Sequence, residues 1–117
     1  IPYWDYDAPV TKETPRDVSA ASVTASAMIE LSTMVPDGQK YLDYAEKILK
    51  SLSSDAYLAK VGDNQGFILM HSVGSLPNGS EIDTPLNYAD YYYLEALKRF
   101  MELKKLRVEN GELRVIQ

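Results

Sequence analysis

A chain of 117 residues, 45% hydrophobic and 25% charged, has the make-up of one globular domain or a piece of one, which excludes a disordered segment. Its net charge of −5 argues against nucleic acid or an anionic membrane as partner, because phosphate binding needs clustered Lys and Arg. The lack of cysteine removes disulfides, thiolate metal sites and a Cys nucleophile, and no apolar run approaches the roughly 18 residues of a membrane span.

The opening Ile1-Pro2-Tyr3-Trp4-Asp5 has no Met and no signal-peptide pattern, and it reads as part of a longer protein. Pro2 and Pro9 push their preceding residues away from helix, so residues 1–13 are expected to be extended. Trp4 needs either burial, as a packing lid over a core edge, or a sugar to stack on. Thr14-Pro15-Arg16-Asp17 has the composition of a helix start. Thr14 can cap, Pro15 suits the first helical position, and the Asp17 charge favours a helix N-terminus. The helix is expected to reach about Met34, with Val18, Ala21, Ser22, Ala25, Met28, Ile29 and Ser32 along one face. Such small residues let a neighbour approach closely, which marks an inner helix.

Pro36-Asp37-Gly38 turns the chain. A second helix follows over about Gln39 to Leu52, with Tyr41, Ala45, Ile48, Leu49 and Leu52 inward and Lys40, Asp43, Glu46, Lys47 and Lys50 outward. Ala56 to Val61 allows a short turn, and Gly62 to Gly66 is a loop. Phe67-Ile68-Leu69-Met70 is a four-residue apolar run, either a buried strand-like segment or an anchor for the polar loop His71 to Glu81 that follows. A third helix is expected from about Asp83–Leu86 to Leu106, with Asp83 or Thr84 as cap and Pro85 in the first position. Its inward stripe is Asp90, Tyr93, Leu94, Leu97, Phe100, Met101 and Lys104. The cations around Lys98, Arg99, Lys104, Lys105 and Arg107 are interleaved with Glu95, Glu102 and Glu109, as on a solvated face. In the tail, 107–117, Asn110-Gly111 gives a hairpin signal, with a frayed end as the alternative.

Three helices running up, down and up place the N-termini of the first and third at one end. The segments entering them, 1–17 and 67–90, then converge on one face. Polar groups beside helix N-termini suit an anionic ligand. Each candidate there also has a plain reading. His71 is a ligand contact or a hydrogen-bonded structural histidine. Asp90 is a catalytic acid or a buried acceptor that ties loop N–H groups together. Arg16 opposes the helix dipole and needs a partner, either a substrate carboxylate or Asp5 or Asp7. The tyrosines 88, 91, 92 and 93 surround the start of the third helix and are mostly packing. There is no Gly-rich phosphate loop, and one His without Cys makes a zinc site an unsuitable reading.

Three blocks carry a family resemblance: Pro2-Tyr-Trp-Asp-Tyr-Asp-Ala-Pro9 with Arg16-Asp-Val-Ser-Ala-Ala-Ser22; Phe67-Ile-Leu-Met-His-Ser-Val-Gly74; and Glu81-Ile-Asp83 with Asn87-Tyr-Ala-Asp-Tyr-Tyr-Tyr-Leu-Glu-Ala-Leu97. Together they resemble the last third of unsaturated glucuronyl hydrolases, glycoside hydrolases of lyase-generated oligosaccharides. The resemblance implies an all-α fold, part of an (α/α)6 barrel of alternating inner and outer helices, over residues 1–106, with 107–117 as a tail or short hairpin. It implies hydration of a vinyl ether: an aspartic acid protonates C4 of the C4=C5 double bond, water adds at C5, and the hemiketal opens to release the sugar. It implies no metal or organic cofactor, an unsaturated uronic-acid oligosaccharide as substrate, and a bacterial periplasmic or cytoplasmic protein. The family's catalytic aspartates lie in the part of the barrel that no position here matches, so no catalytic residue is carried over. The segment alone should be inactive, self-associating or held by the rest of the barrel. The wall of the site transfers as substrate-binding candidates His71, Ser72 and Ser80, with Trp4 and Arg16. The rival readings are an unsaturated rhamnogalacturonyl hydrolase and a non-catalytic helical scaffold.

Overall fold

A computed structural model describes residues 1–109, and within them the chain forms three helices and one β-hairpin. The order is α1 (Val18–Ser32), α2 (Gln39–Leu52), β1 (Ser72–Ser75), β2 (Ser80–Thr84) and α3 (Asn87–Glu109), with a single 3-10 turn at Asn64–Gly66. The architecture is mainly helical, and the tail hairpin expected around Asn110-Gly111 lies outside the described residues.

Helix α1 starts later than its composition suggests, and Asp17, not Thr14, is its N-cap. The reason is tertiary. Tyr3 pairs with Arg16 in an isolated bridge, Trp4 N–H donates to Pro15 O (3.0 Å) and Asp17 N–H to Pro2 O (3.0 Å). Residues 14–16 are thereby held extended against the N-terminal segment, and the first available capping carboxylate is the next one along.

Helix α1 is the centre of the packing: it lies against α2 on one side and α3 on the other, while α2 and α3 barely meet. Val18, Ala21, Ala25 and Ile29 are buried, as are Leu42, Ala45, Leu49 and Leu52 of α2. This matches the inner and outer roles expected of the two helices. Between them Gly38 is indispensable to the turn, since a Cβ there would stand 1.9 Å from Ser32 O. Helix α3 is rotated from its expected face. Leu94 and Met101 are 51% and 67% exposed, whereas Leu86, Ala89, Tyr93 and Ala96 are buried. Alanines at 89 and 96 let α3 share one cluster with Ala21 and Ala25, and close backbone approach outweighs the burial of the larger side chains.

The segment expected as a loop after His71 is the hairpin. Ser72 pairs with Thr84, Val73 with Ile82 and Ser75 with Ser80, with an irregularity between Ser72 and Val73. The turn closes through Gly79, which has positive φ (66°) and donates its N–H to Leu76 O. Strand β2 is largely exposed and its residues do not alternate between faces in polarity, so no period-2 signal announces it.

Candidate functional site

Segments 1–17 and 67–90 do converge at the N-terminal ends of α1 and α3, and specific hydrogen bonds hold them there. Val18 N–H, at the first position of α1, donates to His71 O (3.1 Å), and Val73 N–H donates to Asp17 Oδ1 (3.2 Å). The apolar anchor 67–70 is fixed from two sides. Ile68 N–H and Leu69 N–H donate to the two carboxylate oxygens of Asp90, each at 2.9 Å. Ala59 N–H donates to Ile68 O (2.9 Å) and Met70 N–H to Tyr57 O (2.8 Å). Asp90 is therefore the acceptor that ties loop N–H groups together, the structural alternative of its two readings.

The outcome is an open cleft of about 520 Å³ whose walls include Lys12, Arg16, Tyr57, His71 and Asp83. His71, at φ 70°, is half-buried, and its Nδ1 lies 2.5 Å from Asp83 Oδ1. An ionised carboxylate only accepts, so Nδ1–H is the donor and Nε2 is left for a second hydrogen bond. The Tyr57 ring meets the imidazole edge-on, with centroids 6.1 Å apart. Oriented from two sides, the imidazole can accept at Nε2 a hydrogen bond from a sugar hydroxyl at the cleft.

Arg16 lines the same cleft, but its partners differ from those expected. Its guanidinium donates to Ile1 O (2.5 Å) and Tyr3 OH (3.2 Å), and stacks 3.9 Å above the Tyr3 ring. Asp5 accepts from Asp7 N–H at 2.8 Å, and neither acid is among the partners of Arg16. Ser72 is fully buried beside His71, and its Oγ has no hydrogen-bond partner among the described residues. Ser80 is exposed at the turn end of the hairpin, three residues from its root, or about 10 Å along a strand. Trp4 is half-buried and outside the cleft lining. The structure thus unites His71 and Arg16 at the cleft, buries Ser72 outside its lining, and leaves Ser80 and Trp4 apart.

Asp83 is expected on this face from the sequence, but Tyr57 and the pairing of Asp83 with His71 are not. Tyr57 sits in a segment with no motif, and only the pairing of residues 57–59 with 68–70 delivers it. Asp83, expected near a helix cap, instead faces His71 because α3 starts at Asn87. Glu81 is the further acid of the hairpin: its side chain lies across Gly74, where a Cβ would come within 2.5 Å of Oε2. The Tyr88 phenol is pushed above its ordinary pKa by burial, with the nearby Glu81 and Asp17 carboxylates adding to the effect. Among the described residues no group of three His, Asp or Glu could hold a metal ion, and no helix is long and apolar enough to cross a membrane.

No protein-family model matches the chain. A crystallised unsaturated glucuronyl hydrolase specific for heparin superposes with a TM-score of 0.87 at 68% identity, over 90% of this chain and 28% of that one. The unsaturated glucuronyl hydrolase of Formosa agariphila is 48% identical over 103 residues, 88% of this chain and 26% of the relative. A mutant unsaturated glucuronyl hydrolase of Streptococcus agalactiae, crystallised with dGlcA-GalNAc6S, superposes with a TM-score of 0.77 at 31% identity, over 86% of this chain and 27% of that one. The chain is homologous to unsaturated glucuronyl hydrolases and spans about a quarter of their length, slightly less than the third expected. Its three helices are a fragment of their (α/α)6 barrel.

Proposed function

We propose that the protein carrying this segment removes terminal unsaturated glucuronic acid from lyase-generated oligosaccharides by vinyl-ether hydration, and that the segment lies toward its C-terminal end. The observation that carries this reading is the 68% identity with a crystallised unsaturated glucuronyl hydrolase across 90% of the chain. In the reaction a proton is added at C4 and the hydroxyl of water bonds to C5. The hemiketal opens by breaking the ring C5–O5 bond to leave a C5 ketone. The hemiacetal so exposed at C1 collapses to an aldehyde, breaking the glycosidic C1–O bond and releasing the sugar without a cofactor. The proton donor belongs to the remainder of the barrel. Residues 1–106 form the barrel portion and 107–117 the tail, whose first three residues continue α3.

In this reading the segment supplies one wall of the substrate site. His71 and Arg16 contact the sugar from the cleft, the orphaned Ser72 hydroxyl offers a buried donor, and Ser80 and Trp4 bound the wall further out. A buried hydroxyl without a partner costs about 1–3 kcal/mol, which supports a role for Ser72 beyond packing. The apolar side chains left exposed on α1 and just beyond its end, Val23, Leu31 and Met34 among them, are covered by the remainder of the barrel, or by self-association when the segment is alone. In the full-length protein, His71→Ala is expected to raise KM for an unsaturated disaccharide about tenfold, the loss of one hydrogen bond. An unchanged KM would remove His71 from the wall.

A further inference from the structure

Asp17 is absent from the wall just described, yet its side chain ties the start of α1 to the hairpin. A single oxygen, Oδ1, accepts three hydrogen bonds: from Ser19 N–H (3.0 Å), Ser19 Oγ–H (2.7 Å) and Val73 N–H (3.2 Å). The first two cap α1, and the third reaches 56 residues along the chain to β1. The Asp17 backbone N–H donates to Pro2 O (3.0 Å), and the next residue, Val18, donates its N–H to His71 O (3.1 Å). Asp17 and its neighbour Val18 together therefore join the N-terminal segment, the start of α1 and the hairpin root on both sides of Ser72. Its carboxylate also raises the Tyr88 phenol at the start of α3, so it stands among all four pieces.

A helix cap alone needs only one acceptor for the N2 or N3 amide. The bond to Val73 serves no capping purpose. What it fixes is the position of β1 relative to Arg16, which precedes Asp17 directly and is held in the bridge to Tyr3. The geometry points to Asp17 as a positioning residue of the substrate site: its carboxylate sets the His71–Ser72 pair at a fixed distance from Arg16 and Trp4. This rests on the reading of the wall given above.

Side-chain length separates this role from capping. Ser caps a helix about as well as Asp, but its hydroxyl lies one bond closer to the backbone and cannot serve both α1 and Val73. Asn keeps both the length and one carbonyl oxygen. The full-length protein is compared with its Asp17→Ser, Asp17→Ala and Asp17→Asn variants, with turnover of an unsaturated disaccharide and amide exchange at Val73 and in α1 as the readouts. Asp17→Ser and Asp17→Ala are expected to lose on the order of 10²-fold in kcat/KM, mostly through KM, as for a displaced positioning group. Asp17→Asn should stay within about fivefold of wild type. In Asp17→Ser the Val73 amide should exchange faster while the amides of α1 stay protected. If Asp17→Ser keeps wild-type KM and Val73 protection, Asp17 is a helix cap only and the inference falls. Should wild type itself turn over no unsaturated uronide, the functional reading fails, and Val73 exchange in Asp17→Ser then decides the clamp alone.

Discussion

Asp90 shows how much one residue can decide. Both oxygens of its carboxylate accept backbone N–H groups, from Ile68 and Leu69, and that pair fixes the apolar run leading into His71. Asp90→Ala would strand two amides in a partly buried setting and is expected to cost about 3 kcal/mol in equilibrium urea unfolding of the full-length protein. Asp90→Asn keeps one acceptor and turns an NH2 toward the other amide, so it should cost about half as much. Equal stability of wild type and Asp90→Ala would show that water replaces the carboxylate. The role of Asp90 was legible because an acid at the head of an apolar helical stripe has few other uses. That of Asp83 was not: Asp-Thr-Pro is a good helix start, and only the register of β2 turns the carboxylate to His71. Arg16 was legible as a residue needing a partner, but a backbone carbonyl and a tyrosine leave no mark in sequence spacing.

Among the elements, the α1–α3 contact is the one with charge inside it. Ser26 is buried on α1 and its hydroxyl donates to Glu95 Oε1 of α3 (2.6 Å), while Arg99 Nη1 reaches Ser26 O, Ser26 Oγ, Glu95 and Glu30 at 3.0 to 3.3 Å. The Ser26 hydrogen bond, then that of Tyr91 and the charge of Arg99, outweigh burial and hold the Glu95 carboxyl below its ordinary value of 4.5. A depressed folded value means that ionised Glu95 stabilises the fold above the ordinary pKa, and that this stabilisation is lost as pH falls through the folded one. Ser26→Ala removes the largest cause. The stability gap between wild type and Ser26→Ala, wide at neutral pH, should therefore narrow as pH is lowered to about 3. A gap independent of pH would assign the effect to packing alone. The positions of α1 and α2 could be read from periodicity to within a few residues, because their apolar stripes are regular. The face of α3 could not. Its tyrosines and leucines surround the helix, and the contact is chosen by where Ala89 and Ala96 permit close approach.

The whole molecule is a slab rather than a ball, with extents of 50 × 34 × 21 Å and a radius of gyration of 15.5 Å. A compact domain of this length would have a radius of about 13 Å. The shortest dimension is about two helix diameters, which fits one inner and one outer layer. Helix α1 carries small and apolar residues on more than one face, as expected of a helix covered by neighbours, yet Val23 and Leu31, and Met34 just past its end, are exposed. Composition and periodicity carried the reading as far as alternating inner and outer helices with polar segments gathered at one end. The hairpin was not legible, because its strands are short and the exposed β2 carries no period-2 alternation. The substrate was not legible from physics either; that part came from the resemblance.

The most direct test of the account follows the ultraviolet absorbance of an unsaturated uronic-acid disaccharide, which is lost when C4=C5 is hydrated. It compares the full-length protein with the 117-residue chain alone. The account predicts steady loss of absorbance with the full-length protein, weakened by His71→Ala, and a flat trace with the isolated chain. Turnover by the isolated chain, or none by a folded full-length protein, would contradict it.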